Sequence, residues 1–495
     1  MRSNTARLLV RNVSHLGIGQ VATTALGIFL AAVIGRALEP SELGDFYTVF
    51  AVSSFAYVVA DWGQATYLVR EMARGRVDEP ELIGSALIFR MAAFACATVI
   101  AIAIALAKGY SSQIVALTLL AMAVSVPATL FAPLDFSFRG KDRMDLDVLA
   151  NIVGKVTTLI ATTIAVLLGG GLTEVISMQG VGNLSMLLVG VIAAWQLNIL
   201  VKSPRAGVFG ELLRRGAPIT VFSLVLASQS FFEIVLLSAF AGQSVVGWYG
   251  ASRSIFGIVT SPATILLAAT FPELSRASRS LPDLRRMIEA TGRVMFIAAA
   301  VATSGLYIFA DNMVAIIYGQ GRFEQTASIL RVSAIFIPLM CLVLVLASAM
   351  TAVGRNKELA IISFFRVAFC VILNWLLIGF WQLKFGNGAN AVVIIAGVAE
   401  VPATIACLMV LPRGSVGSTV MLNLLRACIA SVCTIVALSM LPPLGLLYLV
   451  PLFTLVLAAA TMATRLILPS DLRLAIEIAR SRWLAPQASK SALDG

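Results

Sequence analysis

Residues 82–107 read LIGSALIFRMAAFACATVIAIAIALA, twenty-six positions of which only one, Arg90, is charged. As an α-helix rising 1.5 Å per residue, the stretch is about 39 Å long, enough to cross the ~30 Å hydrocarbon core of a bilayer. A membrane barrel would instead need ~10-residue segments of alternating polarity. The same long apolar unit recurs along the chain. Fourteen spans are predicted, at about 14–35, 44–69, 82–107, 112–136, 147–169, 173–200, 216–241, 245–272, 288–310, 326–353, 359–381, 387–411, 418–441 and 445–467.

Composition agrees with this reading. Of 495 residues, 59% are hydrophobic and 12% charged, with a mean hydropathy of +0.95. A soluble domain carries roughly 25% charged residues, so this chain has half the charge needed to coat a water-soluble globule. A soluble enzyme and an extracellular scaffold are excluded, and an all-α polytopic membrane protein is expected. The net charge of +11 is spread through short loops, with no basic face interleaved with aromatics. Nucleic acid is therefore not an expected partner; the bias of Lys and Arg towards cytoplasmic loops accounts for the charge. Of the 36 basic residues, 25 fall in one alternating set of segments that includes both termini (counting Arg465, at the very end of the last span), four (Arg36, Lys108, Arg322 and Lys384) fall in the other set, and seven lie deeper within spans. Both termini are expected in the cytoplasm, in a bacterial inner membrane. Met1–Arg11 is polar and basic and runs into a full-length span, so no cleaved signal peptide is expected. Six cysteines lie in apolar stretches without a C-x-x-C motif, and His15 is the sole histidine, so neither a disulfide framework nor a metal or haem cofactor is expected.

An internal repeat appears at an offset of 203 residues. Arg11 aligns with Arg214 at the head of spans 1 and 7. Ser41, Gly44 and Phe46 of SELGDFY align with Ser244, Gly247 and Tyr249 of SVVGWYG. RGKDR (139–143), after a span containing Pro127, resembles GRNK (354–357), after a span containing Pro338. Six spans per half is an even number, so the halves run in the same direction, and a substrate site is expected where such repeats meet. The predicted organisation is an N-terminal six-helix lobe over 1–200, a C-terminal six-helix lobe over 201–411, two further spans over 412–467 and a cytoplasmic tail over 468–495 with an amphipathic stretch at Asp471–Leu484.

GRALEPSELGDFYTVFAVSSFAYVVADWGQATYLVREMAR (35–74) and GQSVVGWYGASRSIFGIVTSPATILLAATFPELSRASR (242–279), with the two Gly-basic loops, resemble polysaccharide flippases of the Wzx type. These sit in the superfamily that also holds multidrug and toxin extruders and lipid II flippases. The resemblance implies two six-helix lobes around a central cavity, alternating access, and an undecaprenyl-pyrophosphate-linked oligosaccharide as substrate. It also implies a polysaccharide polymerase and a chain-length regulator as partners, besides membrane lipids, and a proton or sodium gradient as driving force. Lipid II flippases carry cations in their first two spans; here those spans offer His15 and the acid Asp61 instead, which argues against lipid II itself.

A cation in mid-span costs at least ~2.5–3.5 kcal/mol, so it seeks a partner or a watery cavity. The seven are Arg90, Lys155, Arg253, Arg293, Arg331, Arg366 and Arg426, against three acids, Asp61, Glu233 and Glu400. Four cations remain after full pairing, which suits an anionic ligand such as a pyrophosphate or an acidic sugar. Arg253, Lys155, Arg366 and Arg90 are the substrate-binding candidates. Arg293 and Arg331 lie near span ends, where they can snorkel, and Arg426 suits a headgroup anchor or local pair. Glu400, Asp61 and Glu233 are candidates for ion coupling or, equally, for fixed salt bridges. Phe46, Tyr47, Trp248 and Tyr249 begin spans where an outer aromatic belt is expected.

Two rival functions are weighed. A membrane polymerase or ligase would be expected to present a sizeable aqueous loop with carboxylates, Arg or His arranged for chemistry; the outer loop at about 311–325 holds only Asp311, Arg322 and Glu324. No G-x-x-x-x-G-K-[ST] pattern is present to couple ATP directly. An ion-coupled multidrug exporter of the same fold is the nearer rival, and its cationic substrates would favour surplus acid where this chain has surplus base.

Overall fold

The structure is a computed structural model that describes residues 2–74, 79–199, 202, 206–442 and 445–467, with side chains from Gly19 onward. His15 and the amphipathic Asp471–Leu484 stretch therefore lie outside the described side chains. Every regular element among the described residues is a helix. In the first half these are α1 (Arg2–Ala37), α2 (Pro40–Asp61), α3 (Gln64–Arg74), α4 (Glu79–Ala107), α5 (Ser112–Val124), α6 (Val126–Gly140), α7 (Met144–Leu167) and α8 (Leu172–Gln196). The second half continues with α9 (Ala206–Phe240), α10 (Gln243–Ala277), α11 (Leu281–Ile308), α12 (Ala310–Tyr318), α13 (Glu324–Ala352), α14 (Asn356–Phe385), α15 (Gly388–Val410), α16 (Ser418–Ser439) and α17 (Leu446–Ala463). Among the described residues, fourteen segments are long and apolar enough to cross a membrane, matching the number read from the sequence.

Two predicted continuous spans are broken. The second is interrupted between α2 and α3, where Trp62 (φ 42°) and Gly63 (φ 67°) are both left-handed. The break is covered by α9: Trp62 Nε1 donates to the Leu213 carbonyl at 3.1 Å, and Gly216 lies against the Trp62 carbonyl with no room for a side chain. The fourth breaks at Ser125, between α5 and α6, where Pro127 has no N–H to continue the ladder. The carbonyl of Val124 is satisfied instead by Asn183 Nδ2 of α8, at 2.9 Å, as hydrocarbon demands of any freed backbone group. A further difference is α9, which begins about ten residues before the predicted seventh span and carries Glu211, Arg214 and Arg215 out of it on a helix rather than a loop.

The chain forms two compact units. One comprises Met1–Ile258, Asp311–Ile329 and Ala360–Ala399; the other Val259–Ala310, Leu330–Leu359 and Glu400–Gly495. In the first, one core joins α2, α4, α5 and α9 through Val52, Ala56, Phe94, Met122 and Phe231, with Phe55 stacked on Phe231 at 4.4 Å. In the second, α11, α16 and α17 pack through Leu438, Phe453 and Leu457, with Phe309 edge-on to Phe453. Arg293 donates there to the carbonyl of Leu466 at 3.1 Å, and Arg426 to Asn423 of its own helix at 3.2 Å.

The repeat has a physical counterpart in the first unit. Gly44 and Gly247, aligned by the 203-residue offset, are neighbours at the crossing of α2 and α10. A methyl group on Gly44 would strike the carbonyl of Gln243, and one on Gly247 would strike the carbonyl of Pro40. Pro40 and Gln243 are themselves 203 residues apart, so the contact is reciprocal, as at a two-fold axis. Small residues allow this approach where helices meet in a membrane. Gly44→Ala and Gly247→Ala should each destabilise the protein by roughly 1–3 kcal/mol through overpacking. Gly27→Ala, whose added methyl meets nothing, should not. Thermal unfolding in detergent checks this, and equal melting temperatures for all three would refute the crossing.

Candidate functional site

Six of the seven candidate residues, Arg90, Lys155, Arg253, Arg366, Asp61 and Glu233, lie in the first compact unit, and Glu400 lies in the second. The cations differ sharply in accessibility. Arg90 is 2% exposed, Arg366 is half-buried, and Lys155 and Arg253 are exposed.

Arg90 of α4 is committed to α2. Its Nη1 lies 2.8 Å from Asp61 Oδ1, and its Nη2 donates to the Tyr57 hydroxyl at 3.2 Å. The guanidinium also sits 5.5 Å from the Tyr57 ring and 5.7 Å from the Phe136 ring. Tyr57 and Asp61 are one turn apart on α2, so both reach one partner. This geometry is the fixed salt bridge that the sequence left open for Asp61.

Glu233 and Arg253 share a second cluster on α9 and α10. Glu233, 2% exposed, accepts from the Tyr249 hydroxyl at 2.7 Å and from Gln229 Nε2 at 3.0 Å. Arg253, one turn beyond Tyr249, is within electrostatic reach of both Glu233 and Tyr249 and lies 5.7 Å from the Phe256 ring. Each carboxylate oxygen of Glu233 thus has its own neutral donor. Gln229, and Tyr249 in this role, are partners of Glu233 that the sequence reading did not assign; the signal was their four-residue spacing from Glu233 and Arg253.

Lys155 of α7 donates to the Thr23 carbonyl of α1 at 3.3 Å and has an exposed ammonium. Arg366 lies on α14, beside Val367 and Ala368, which with Val225, Ser228 and Phe232 of α9 line an apolar groove. Glu400, 8% exposed, sits on α15 one turn before Thr404, whose hydroxyl donates to the Glu400 carbonyl at 2.7 Å.

Two of the four residues expected in an outer aromatic belt, Tyr47 and Tyr249, pack inward instead. Tyr249 is 3% exposed, and the Tyr47 ring lies on Gly250 with its hydroxyl 2.8 Å from Ser254 Oγ. Trp248 Nε1 donates to the Arg322 carbonyl at 3.2 Å. Tyr47 packs into the α2–α10 crossing. Further ties flank it: Arg322 pairs with Glu39 at 3.0 Å, and Arg36 donates to the carbonyls of Ile316 and Ile317 at the end of α12. A cation suits that helix end.

Residues 9–278 match the family described as polysaccharide biosynthesis protein. That stretch is more than half of the chain. The chain belongs to this family. No curated protein matches it. Among solved structures, the lipid II flippase MurJ in an inward closed conformation aligns with a TM-score of 0.73 at 12% identity, covering 91% of this chain and 98% of that one. An inward-facing multidrug resistance MATE family transporter of the MOP superfamily gives 0.63 at 17% identity, covering 79% and 93%. A MOP superfamily transporter from Pyrococcus furiosus Vc1 (DSM3638), described as having a binding pocket of reversed polarity that suggests a different function, gives 0.56 at 16% identity, covering 81% and 94%. The shared feature is the multi-span helical fold, as the fourteen-span reading required.

Removing one member of a buried ion pair costs roughly 3–5 kcal/mol, whereas replacing both by neutral groups is often tolerated. Arg90→Met and Asp61→Asn should therefore each lower thermal stability more than the double variant does. Additive losses would show that the two side chains do not depend on each other.

Proposed function

We propose that the chain is a flippase that moves an undecaprenyl-pyrophosphate-linked oligosaccharide repeat unit from the cytoplasmic to the outer leaflet of the bacterial inner membrane by alternating access, for surface or exopolysaccharide synthesis. The observation that carries this reading is the pair of exposed cations, Lys155 and Arg253, on membrane-spanning helices of a polysaccharide biosynthesis family member. An accessible cation at such depth is costly against lipid and favourable against an anion in a wet cavity. A carrier of cationic drugs would gain nothing from it, and no step of bond chemistry is assigned to the protein.

In this reading the pyrophosphate is drawn to Lys155 and Arg366 from the cytoplasmic side while the prenyl tail stays in the bilayer. Arg253 then receives the anionic headgroup towards the outer side. Arg90, locked to Asp61, serves as a rigid support rather than a ligand. The ties around Gly44 and Gly247 form the outer seal, which must part for the sugar to leave. Asp61 and Glu233 act as fixed counter-charges. Glu400 is the remaining coupling candidate for a proton or sodium ion. A polymerase and a chain-length regulator are the proposed protein partners on the outer side.

A strain lacking the protein and complemented with variants tests the assignment. Arg253→Ala, and Lys155→Glu combined with Arg366→Glu, should each cut polysaccharide export roughly tenfold or more at normal membrane abundance, the loss expected when a charge-assisted bond to the substrate goes. Lys108→Glu, at a predicted outer rim, should leave export near wild type. Equal export in all three would remove these cations from the path.

A further inference from the structure

The RGKDR loop (139–143) joins α6 to α7, and the residues flanking it form a cluster that the transport reading does not use. Asp135 and Arg139 are one turn apart on α6, and Asp147 is in the first turn of α7. Arg139 Nη2 lies 3.0 Å from Asp135 Oδ2, and its Nε lies 3.0 Å from Asp147 Oδ2. These two N–H groups form one edge of a guanidinium, which ordinarily grips both oxygens of a single carboxylate. Here that edge is divided between two carboxylates, which are held against one another.

Donors satisfy three of the four carboxylate oxygens. Arg139 supplies one to each group, and Asn151 Nδ2 donates to Asp147 Oδ1 at 2.7 Å. The fourth, Asp135 Oδ1, is buried without a donor. Asp135 and Asp147 are 7% and 3% exposed, and the flanking Leu134, Phe136 and Phe138 are buried apolar side chains. The charged groups acting on Asp135 are Asp147 and Arg139. Arg143 is occupied elsewhere, gripping Asp145 with bonds of 2.9 Å from both Nε and Nη2. Two carboxylates and one arginine leave an uncompensated negative charge in an apolar setting. Like-charged carboxyls that share one site resolve this by holding a proton between them. In the other half, the GRNK loop carries an accessible pair, Arg355 with Glu358 at 3.0 Å.

We infer that Asp135 and Asp147 form a proton-binding site, in which one carboxyl is protonated and donates to the other. Arg139, whose side chain is 43% exposed, connects the pair to the water at this end of the bundle. Release of the proton converts the acid to a carboxylate and sets two negative charges against each other, loosening the joint between α6 and α7. Uptake closes it again. The site is separate from Glu400, the remaining coupling candidate, and from Asp61 and Glu233.

The test uses the full-length protein in detergent and reads the carboxyl directly, with no transport involved, so it succeeds or fails independently of the flippase reading. Infrared difference spectra recorded from mildly acidic to mildly alkaline pH should show the C=O stretch of a protonated carboxyl that disappears as pH rises. Asp135→Asn and Asp147→Asn should each abolish that titrating band, and Asp145→Asn should retain it. Thermal stability provides the second reading. A folded state that holds a proton the unfolded chain releases loses stability as pH rises, so the wild type should melt earlier in alkali while Asp135→Asn stays flat. A band that persists in both Asp135→Asn and Asp147→Asn, or an unchanged pH slope in Asp135→Asn, would overturn the proposal.

Discussion

A charge within a bilayer has no bulk water to solvate it, and that constraint sorts the ionisable residues of this chain. Where a partner is within reach, the buried charge is fixed by it: Arg90 by Asp61 and Tyr57, Glu233 by Tyr249 and Gln229. Where the partner is neutral or merely near, the cation remains accessible, as with Lys155 and Arg253. Backbone groups obey the same rule. The two broken spans are tolerated because Asn183 caps the carbonyl freed at Val124 and because α9 packs on the Trp62–Gly63 break.

Close approach at the α2–α10 crossing governs the other end of the first unit. Glycine is needed at positions 44 and 247 because each faces a carbonyl of the other helix. Once the backbones meet, the aromatic residues that follow have no route to a lipid interface. They pack inward, Tyr47 onto Gly250 and Tyr249 onto Glu233. The internal repeat is thus more than a trace of duplication, since its equivalent residues make one of the contacts between the halves.

Much of this was legible in the sequence. Long apolar runs determine the number of spans, because hydrocarbon thickness fixes helix length. The Gly44 and Gly247 alignment marked the crossing. Partnerships across helices were not legible. Arg90 and Asp61 are 29 residues apart on antiparallel helices, and their register depends on packing throughout α2 and α4. The Trp62–Gly63 break was hidden because an apolar Trp reads as the continuation of a span. Tyr47 and Tyr249 were misplaced because position at a span end was read without the neighbouring glycines. The Asp135–Arg139 spacing was visible, but its third member, Asp147, lies beyond a turn whose geometry the sequence does not specify.

The account turns on what crosses the membrane. The direct measurement is the sidedness of lipid-linked oligosaccharides in cells lacking this protein, probed with a membrane-impermeant sugar label. The account predicts that unexported repeat units accumulate on the inner leaflet and that restoring the protein returns them to the outer one. Normal sidedness, together with increased sensitivity to cationic drugs, would contradict it and identify a multidrug exporter.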